Sequence, residues 1–452
     1  MTARLSRAVV PAFLTIVTLG VAGTPPARAG PPPATLTAVA SVDFAHPEKV
    51  HSLVGFLHGL DDTQPPDRVV VPLHPTLWRG SLASASYDRA TALGARYMFV
   101  LSDLWGYPGA GWYGRQAPWV DWDKWSAFVR DMAAENRSRR LIWDVWNEPD
   151  WPYFWTGSEA QYHELYRRAY VAIRQELGPD AIIAGPSVSV FRWDWLTRLL
   201  EFCRSADCEV DALSWHELPG GGAISSVGAH ARRARLGLLH NPAYAQVGLR
   251  ELDVSEYVGQ RDALYGAEAL GYVSQLENAG IKRAAHACWQ EPSGVDDCHA
   301  HTLDGLLTAT SLHPRAAWWA LSWYARGTAS RVWSQSADPA LAIMAARAVD
   351  PRHAEIELGY LDTHDRALPA TTDVQLDLSG VRHLRFAGRS GRVRIRAYRV
   401  RSTGEAQTAP TSMAPPSVVQ GAPGRLVVRV RAVGLHDTVL LRLSAPSRRG
   451  RR

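Results

Sequence analysis

The sequence predicts an α/β fold, a (β/α)8 TIM barrel followed by an accessory C-terminal β-sandwich domain. Between Val54 and Tyr324, eight short apolar segments of β type alternate with helical patterns, and such a barrel typically needs roughly 250 residues. After Gly327 the helical patterns stop, and short strand-like segments separated by turn residues follow, which is typical of a sandwich. An open doubly wound sheet is the alternative architecture, but no glycine-rich phosphate loop supports it.

The predicted strands are short, and most end at polar or turn residues. In the barrel they cover residues 54–58, 76–79, 96–101, 140–145, 181–185, 210–215, 248–255 and 283–289. In the sandwich they cover residues 330–333, 341–346, 353–361, 374–378, 393–400, 426–433 and 438–443. Helices are predicted between the barrel strands because apolar residues recur there at helical spacing, for example at 122–136 and 159–177.

The chain is expected to divide into five parts. Residues 1–29 form a signal peptide, 30–53 a linker and a strand that joins the sandwich, 54–327 the barrel, 328–445 the sandwich and 446–452 a basic tail. The strand before the barrel is assigned to the sandwich because it has no other expected partner.

The N-terminus has the features of a secretory signal peptide. Arg4 and Arg7 precede an apolar run, and a small-x-small cleavage pattern ends at Ala29. An uncleaved membrane anchor is the alternative, but the run is shorter than the about 20 residues that span a bilayer. We therefore expect a secreted, extracellular protein without stable membrane insertion.

The composition excludes bulk disorder and gives no sign of a nucleic-acid partner. Hydrophobic residues make up 46% of the chain, so a large core is possible. The 49 basic residues nearly match the 44 acidic ones. The basic tail can contact nucleic acid or anionic lipid, but we expect a solvated, frayed end. Elsewhere the sequence has no basic stripe with interleaved aromatic residues.

The four cysteines fall into two local pairs, Cys203 with Cys208 and Cys288 with Cys298. Four cysteines allow three pairings, and we expect the local one because disulfides persist in exported proteins. A zinc site is the alternative, since His299 follows Cys298 directly, but the usual spacing of paired zinc ligands is missing. The sequence thus predicts two disulfides and no metal.

Glu148 is the foremost candidate for a catalytic residue. It follows the mostly apolar fourth strand, where Pro149 breaks the ladder because it has no N–H. Functional residues of such barrels lie at C-terminal strand ends. Burial among the neighbouring tryptophans would raise the pKa of this carboxyl, as an acid/base requires. A turn carboxylate without chemistry is the alternative.

Glu256 follows the seventh strand and is the expected partner of Glu148. Retaining glycosidases use two carboxyl groups about 5–5.5 Å apart, one as acid/base and one as nucleophile. Three strand–helix units separate the two glutamates, which places them across the mouth of one barrel. Glu251 is the alternative on this strand, but its opposite parity predicts that it points to the other face.

At these residues the chain resembles a known family. Residues 143–155, Trp-Asp-Val-Trp-Asn-Glu-Pro-Asp-Trp-Pro-Tyr-Phe-Trp, are similar to the acid/base segment of clan A glycoside hydrolases, and above all of family 39, the group with β-xylosidases and α-L-iduronidases. The resemblance spans about residues 54–325, and further similar segments lie at 162–166, 183–186, 211–216 and 254–257.

The resemblance implies a retaining double displacement, with Glu148 as acid/base and Glu256 as nucleophile. It also implies that Asn147 hydrogen-bonds the sugar 2-hydroxyl and that His216 holds the hydrogen-bond network of the nucleophile. Trp289, at the end of the eighth strand, would form an aromatic floor under the sugar. After His216 the chain departs from the family, because the usual aromatic residue is missing and three glycines follow closely. That departure leaves the substrate open.

Other candidates for the −1 subsite lie near the ends of the first three strands: His58, Arg79, Asp103 and Trp105. For each, a core or turn role is the alternative. The sequence therefore predicts a secreted retaining glycoside hydrolase that acts on a plant or microbial polysaccharide or oligosaccharide and needs no cofactor. A transglycosylase with the same residues and a non-catalytic carbohydrate-binding pseudoenzyme are the alternatives. The sugar, the linkage and the oligomeric state stay open.

Overall fold

The computed structural model describes residues 37–82, 84–108, 116–218, 224–291, 293–347, 350–388, 391–404, 406, 409–420 and 424–446. The predicted signal peptide, and the predicted basic tail apart from its first residue, lie outside these residues. The described strands form two sheets, one of eight strands and one of ten.

Strand β1 (Thr37–Glu48) opens the described chain and belongs to the ten-stranded sheet. The eight-stranded sheet is parallel, with its strands in sequence order. It consists of β2 (Gly55–Leu57), β3 (Leu77–Gly80), β4 (Arg96–Val100), β5 (Leu141–Asp144), β6 (Ile182–Val188), β7 (Ala212–Glu217), β8 (Glu251–Tyr257) and β9 (Arg283–His286). The α-helices are α1 (Asp67–Val70), α2 (Ser84–Ala92), α3 (Leu101–Trp105), α4 (Trp122–Glu135), α5 (Glu159–Leu177), α6 (Trp193–Ala206), α7 (Val227–Ala234), α8 (Gly266–Ala279) and α9 (Ala316–Gly327).

The first and last strands of the parallel sheet pack together and nearly close it into a barrel. A side-chain carbon at Gly55 of β2 would lie 2.3 Å from the carbonyl oxygen of Ala284 in β9. Glycine therefore allows the close approach that brings the two strands together. The predicted TIM barrel is confirmed.

Alternate residues of the barrel strands fill its lumen in layers, because side chains alternate between the two faces of a strand. The lower layer is apolar and consists of Leu57, Leu77, Met98, Ile142, Ala184, Ala212 and Ala285. Two residues further along their strands lie Arg79, Asp144 and Ser214, all buried. The lumen thus becomes polar towards the C-terminal strand ends, where the active sites of such barrels lie.

The second sheet holds the C-terminal strands. They are β10 (Arg331–Ser336), β11 (Leu341–Arg347), β12 (His353–Tyr360), β13 (Thr371–Ser379), β14 (Arg394–Val400), β15 (Thr411–Ser412), β16 (Ser417–Gln420), β17 (Leu426–Gly434) and β18 (Thr438–Ser444). Their order is β15-β14-β18-β12-β11-β10-β1-β13-β17-β16. Strand β1 pairs with β13 in parallel, and the other pairs are antiparallel.

This sheet folds over itself around one apolar core. Phe44 of β1, Ile356 of β12, Val428 of β17 and Leu443 of β18 belong to the same buried cluster. Strands β15 and β16 lie at opposite ends of the sheet order, although only residues 413–416 separate them in the chain. The two ends of the sheet therefore meet, and the predicted sandwich is confirmed.

Ion pairs join the barrel to the sandwich. In α8, Glu277 accepts a hydrogen bond of 2.9 Å from Arg331 at the start of β10, and Glu268 lies 2.5 Å from His436. Asp262, between β8 and α8, lies 2.7 Å from His364. The barrel and the sandwich thus meet beside the loop that follows β8.

Both predicted cysteine pairs are bonded in the structure. One disulfide joins Cys203 in α6 to Cys208, and the other joins Cys288 to Cys298 after β9. Among the helices of the described residues, we find none with the length and apolar character that a membrane span requires.

Candidate active site

Two glutamates and a histidine meet at the mouth of the barrel. Glu148 follows β5, His216 lies in β7 and Glu256 lies in β8. One oxygen of each glutamate and one ring nitrogen of His216 all lie within 4.8 Å of one another. Retaining glycosidases keep their carboxyl groups about 5–5.5 Å apart, whereas inverting enzymes leave about 6.5–9.5 Å for a water molecule. The spacing observed here matches the retaining class.

Glu148 is held in a turn by its backbone. Its φ is +46°, in the left-handed region that non-glycine residues rarely adopt, and its N–H donates to the carbonyl oxygen of Ser187 at 3.0 Å. The residue is 4% exposed. Among the described residues, its Oε2 has no hydrogen-bond partner. A strained, buried carboxyl with a free oxygen is suited to contact a ligand.

Burial raises the pKa of Glu148 to about 8. The negative charge of Asp150 adds to the shift, and the positive charge of Arg79 opposes it. At neutral pH the carboxyl is therefore protonated and can donate a proton, as a general acid does.

Glu256 bonds to a buried arginine. Its Oε1 accepts a hydrogen bond of 2.7 Å from Nη1 of Arg79. Burial raises the pKa of Glu256, and the positive charge of Arg79 opposes that shift. Because Arg79 is permanently charged, it favours the ionised form that a nucleophile requires.

The predicted orientation of Glu251 is wrong. Strand β8 has a bulge at Ser255, which has no partner in β7: Trp215 pairs with Val254, and the next residue, His216, pairs with Glu256. An inserted residue reverses the parity of the strand beyond it. Glu251 pairs with Ala212 of the lumen layer, so it faces the same side as Glu256. It lies deeper in the barrel and forms an ion pair with Arg283.

Arg79 of β3 connects the site. Its guanidinium donates to Asp144 at 2.9 Å, to Glu256 at 2.7 Å and to Asn147 at 2.8 Å. It is 2% exposed. Burial opposes its charge, but the carboxylates of Asp144 and Glu256 outweigh this and raise the pKa of Arg79. One buried cation thus holds three side chains of the barrel mouth in place.

Asn147 is held by a hydrogen bond from Arg79, and His216 is held by a hydrogen bond with Glu148. Arginine has only donors, so the amide oxygen of Asn147 must face Arg79, and the amide NH2 group is left to donate elsewhere. His216 is fully buried, and burial lowers its pKa to about 4. The imidazole is therefore uncharged at neutral pH. Its Nδ1 lies 2.8 Å from Glu148 and its Nε2 lies 3.8 Å from Glu256.

A polar layer beneath the site was not predicted from the sequence. Asp144 accepts hydrogen bonds from Arg79 and from the hydroxyl of Ser187 at 2.9 Å. The hydroxyl of Ser187 also contacts those of Ser214 at 2.8 Å and Ser255 at 3.3 Å. A charged residue inside an apolar strand, at even spacing from a lumen residue, is a signal that could have identified Asp144.

Of the remaining predicted residues, His58 and Trp289 follow barrel strands, whereas Trp105 lies in the helical layer. His58, after β2, has its Nε2 4.0 Å from Asp103, and burial lowers its pKa. Trp289 is half-buried, and its indole N–H donates to the carbonyl oxygen of Val258. Trp105 is 5% exposed and packs with Trp125 and Phe128 in the helical layer rather than beside the two glutamates.

Two further carboxylates near the mouth are paired. Glu217 accepts a hydrogen bond from Trp215 at 2.8 Å and lies 3.2 Å from His230. Glu291 lies 2.6 Å from Arg315. The three glycines after Glu217 lie outside the described residues.

Glu148, His216 and Glu256 also form a donor set that could hold a divalent metal ion. Arg79 lies 2.7 Å from Glu256 and places a permanent positive charge beside it. This charge disfavours a second cation and favours a site that works through proton transfer.

Comparisons with known proteins point to glycoside hydrolases. Residues 112–235 match the family model "Glycosyl hydrolases family 39", a segment that contains Glu148 and His216 but not Glu256. A beta-xylosidase from Caldicellulosiruptor saccharolyticus is 26% identical over 121 residues, which cover 25% of this chain and 24% of that protein.

A 3-O-alpha-D-galactosyl-alpha-L-arabinofuranosidase from Bifidobacterium longum subsp. longum is 24% identical over 323 residues, 63% of this chain and 27% of that protein. The chain thus spans about a quarter of the length of both curated relatives. The structure of N2152 from Neocallimastix frontalis covers 91% of this chain and 100% of its own, with a TM-score of 0.71 and 18% identity. That likeness shows a shared fold.

Proposed function

We propose that this chain, a member of glycosyl hydrolase family 39, is a retaining glycosidase in which Glu148 is the acid/base and Glu256 the nucleophile. The observation that carries the proposal is the spacing of the two carboxyl groups, one buried and one partly buried, whose nearest oxygens lie within 4.8 Å. Such a gap holds an anomeric carbon between two carboxyl groups but has no room for the water molecule of an inverting enzyme.

In the first step, Glu256 attacks the anomeric carbon while Glu148 donates its proton to the glycosidic oxygen. The bond between carbon and that oxygen breaks, the alcohol leaves, and a covalent glycosyl-enzyme forms. The raised pKa of Glu148 keeps its proton available at neutral pH, and Arg79 supports the ionised form of Glu256.

In the second step, the Glu148 carboxylate accepts a proton from water. The water oxygen attacks the anomeric carbon, and Glu256 leaves as a carboxylate. Two inversions give net retention, and Glu148 regains its proton. The uncharged imidazole of His216 serves both states of Glu148, because its Nδ1 accepts a hydrogen bond in one tautomer and donates one in the other.

The neighbouring side chains position the sugar. Since Arg79 fixes the amide oxygen of Asn147, the NH2 group of Asn147 is available for a sugar hydroxyl. Trp289, half-buried after β9, offers an aromatic face for the C–H side of the ring. His58 is the remaining candidate for a sugar contact at the mouth.

For the substrate we propose a glycoside of a pentose. Two relatives support this class, since one is named for β-xylosides and the other for substituted α-L-arabinofuranosides. Aryl β-D-xylosides and α-L-arabinofuranosides should be cleaved faster than the matching glucosides, galactosides and glucuronides. Fastest turnover of a hexoside or a uronide would reject the pentose proposal and leave the catalytic pair unaffected.

The decisive experiment is covalent trapping. A 2-fluoro glycoside of the best substrate should inactivate the enzyme, and peptide mass spectrometry should find the sugar on Glu256. The Glu251→Gln variant is the matched control, because it alters a lumen-facing glutamate of the same strand without touching Glu148. Labelling of Glu251, or an inverted first product by NMR, would reject the mechanism.

We propose further that the enzyme acts outside the cytosol. The two disulfides support this, because such bonds persist mainly in oxidising compartments. When the full sequence is expressed in its natural host, we expect active enzyme in the medium with Gly30 as its first residue. Intracellular enzyme that keeps residues 1–29 would contradict export.

A further inference from the structure

Charge is distributed very unevenly along the chain. Residues 30–379 contain 30 basic and 42 acidic residues, whereas residues 380–446 contain twelve arginines, no lysine and only two acidic residues, Glu405 and Asp437. This second segment forms the last strands of the sandwich. A local excess of ten positive charges attracts anions even though the whole chain has a net charge of only +5.

Part of this charge lines one groove, which we call the arginine groove. It lies where the two ends of the ten-stranded sheet meet, and it has a volume of about 720 Å³. Arg399 and Arg401 line it from the β14 side, and Arg429 and Arg431 line it from β17. The segment 411–417, which links the two ends of the sheet, contributes hydroxyl groups.

The arginines in the groove are available for a ligand. Among the residues that the structure describes, Arg401, Arg429 and Arg431 have no carboxylate within salt-bridge distance, and all three are exposed. Arg399 is more buried: it donates to the carbonyl oxygen of Ala432 at 2.8 Å and lies 3.4 Å from Asp437. Four arginines line the groove and none of its lining residues carries a carboxylate, so the groove has a positive potential.

We propose that the arginine groove binds an acidic polysaccharide through its carboxylate or sulfate groups. Guanidinium groups recognise such anions with two parallel hydrogen bonds, which explains arginine rather than lysine here. The serine and threonine hydroxyls of the crossing segment, at Thr411, Ser412 and Ser417, can bond sugar hydroxyls. A concave site of this size admits several sugar units of an extended chain.

The lining argues against nucleic acid. Single-stranded nucleic acids are held by basic residues together with aromatic rings on which bases stack. The groove is lined by arginines, small polar residues, two prolines, an alanine, a valine and a methionine, and none of its lining residues is aromatic. Charge without stacking platforms fits a polyanion that lacks bases.

This inference rests on the proposed glycosidase function only for the choice of a polysaccharide as the anion. On that basis the sandwich would hold the enzyme on an acidic polymer while the barrel cleaves glycosidic bonds. The arginine groove and the proposed catalytic site lie on different sheets. A variant can therefore change one site without changing the other, and the two proposals can be tested separately.

The test is affinity electrophoresis of the full chain in gels that contain polygalacturonate, dextran sulfate or neutral dextran. We expect retardation by the two acidic polymers, its loss at high salt, and no retardation by neutral dextran. The double variant Arg429→Gln/Arg431→Gln should bind about tenfold more weakly, as expected when charge-assisted contacts are lost. Polygalacturonate and dextran sulfate together show whether carboxylate or sulfate is preferred.

The matched control is Arg352→Gln/Arg366→Gln, which removes the same charge from exposed arginines of the sandwich outside the groove. Equal weakening of binding in both double variants would overturn the groove as the binding site and leave only general electrostatic attraction. Tighter binding to single-stranded DNA or to anionic phosphatidylserine vesicles than to either acidic polymer would overturn the assignment of a polysaccharide as the ligand. Hydrolysis of a small aryl glycoside should be unchanged in both variants, which separates this test from that of the catalytic pair.

Discussion

Arginine has opposite environments in the two halves of the molecule. At the barrel mouth Arg79 is buried and donates to three side chains, two of them carboxylates. In the arginine groove Arg429 and Arg431 are exposed and unpaired among the described residues. A buried charge needs partners that stabilise it, whereas an exposed unpaired charge costs little and stays available for a ligand. The first environment holds the proposed catalytic site together, and the second leaves guanidinium groups available for the proposed ligand.

The largest effect is expected for the proposed nucleophile. Glu256→Gln removes the oxygen that would form the glycosyl-enzyme, so kcat/KM should fall by about 10⁴ or more, comparable to losing a member of a catalytic set that acts as a unit. Circular dichroism and thermal melting should show an intact fold. Activity within tenfold of the original enzyme would show that another group attacks the sugar.

Glu148→Gln should lower activity by about 10² to 10⁴, and the size should depend on the leaving group. An acidic phenol leaves without protonation, so bond cleavage with dinitrophenyl glycosides should be far less affected than with unsubstituted alkyl glycosides. Pre-steady-state bursts of phenol measure this difference. If both classes of substrate lost the same factor in the bond-cleaving step, Glu148 would not be the proton donor.

Arg79→Met tests the buried environment through stability. It leaves the fully buried carboxylate of Asp144 and the partly buried one of Glu256 without their cation, and breaking a buried pair in this way costs about 3–5 kcal/mol. Urea unfolding measures the change. A loss below about 1 kcal/mol would mean that the site tolerates unpaired carboxylates and that Arg79 is not its structural centre.

The pH dependence should follow the proton of Glu148. Because the acid must be protonated and its pKa is raised to about 8, kcat/KM should fall tenfold per unit as the pH rises above 8. Asp150→Asn removes a negative charge that contributes to the shift, so the basic limb should move to lower pH. A basic limb that does not move would show that burial alone raises the pKa of Glu148.

Much of the fold, and the meeting of Glu148 with Glu256, could be predicted because the signals are local. Apolar strands that stop at polar residues gave the eight barrel strands, and the Asn147-Glu148-Pro149 turn marked a strand end. What failed depended on pairing between distant strands. The bulge at Ser255 reverses the parity on which the orientation of Glu251 was argued. Strands β15 and β16 lie beside prolines and have too few residues for alternation to be visible.

The same limit applies to the network around Arg79. The sequence marked Arg79 only as a candidate near a strand end, since nothing local shows that β3, β5 and β8 bring Arg79, Asp144 and Glu256 together. The contact of His216 is also non-local: its nearer partner is Glu148, at 2.8 Å, rather than the expected nucleophile at 3.8 Å. Residue types predict which chemistry is possible, but which groups are in contact depends on how the barrel brings its strands together.

The smallest effect is expected in the arginine groove and completes the contrast with Arg79. Arg429→Met changes the same residue type to the same replacement as Arg79→Met, but it removes an exposed guanidinium without a carboxylate partner among the described residues. Surface substitutions of this kind usually change the free energy of unfolding by no more than about 0.5 kcal/mol, and urea unfolding should show a value in that range. A small stabilisation is also compatible, because the variant relieves repulsion from the neighbouring arginines. A loss of 2 kcal/mol or more would show that Arg429 supports the sandwich, and the availability of the groove for a ligand would then need another explanation.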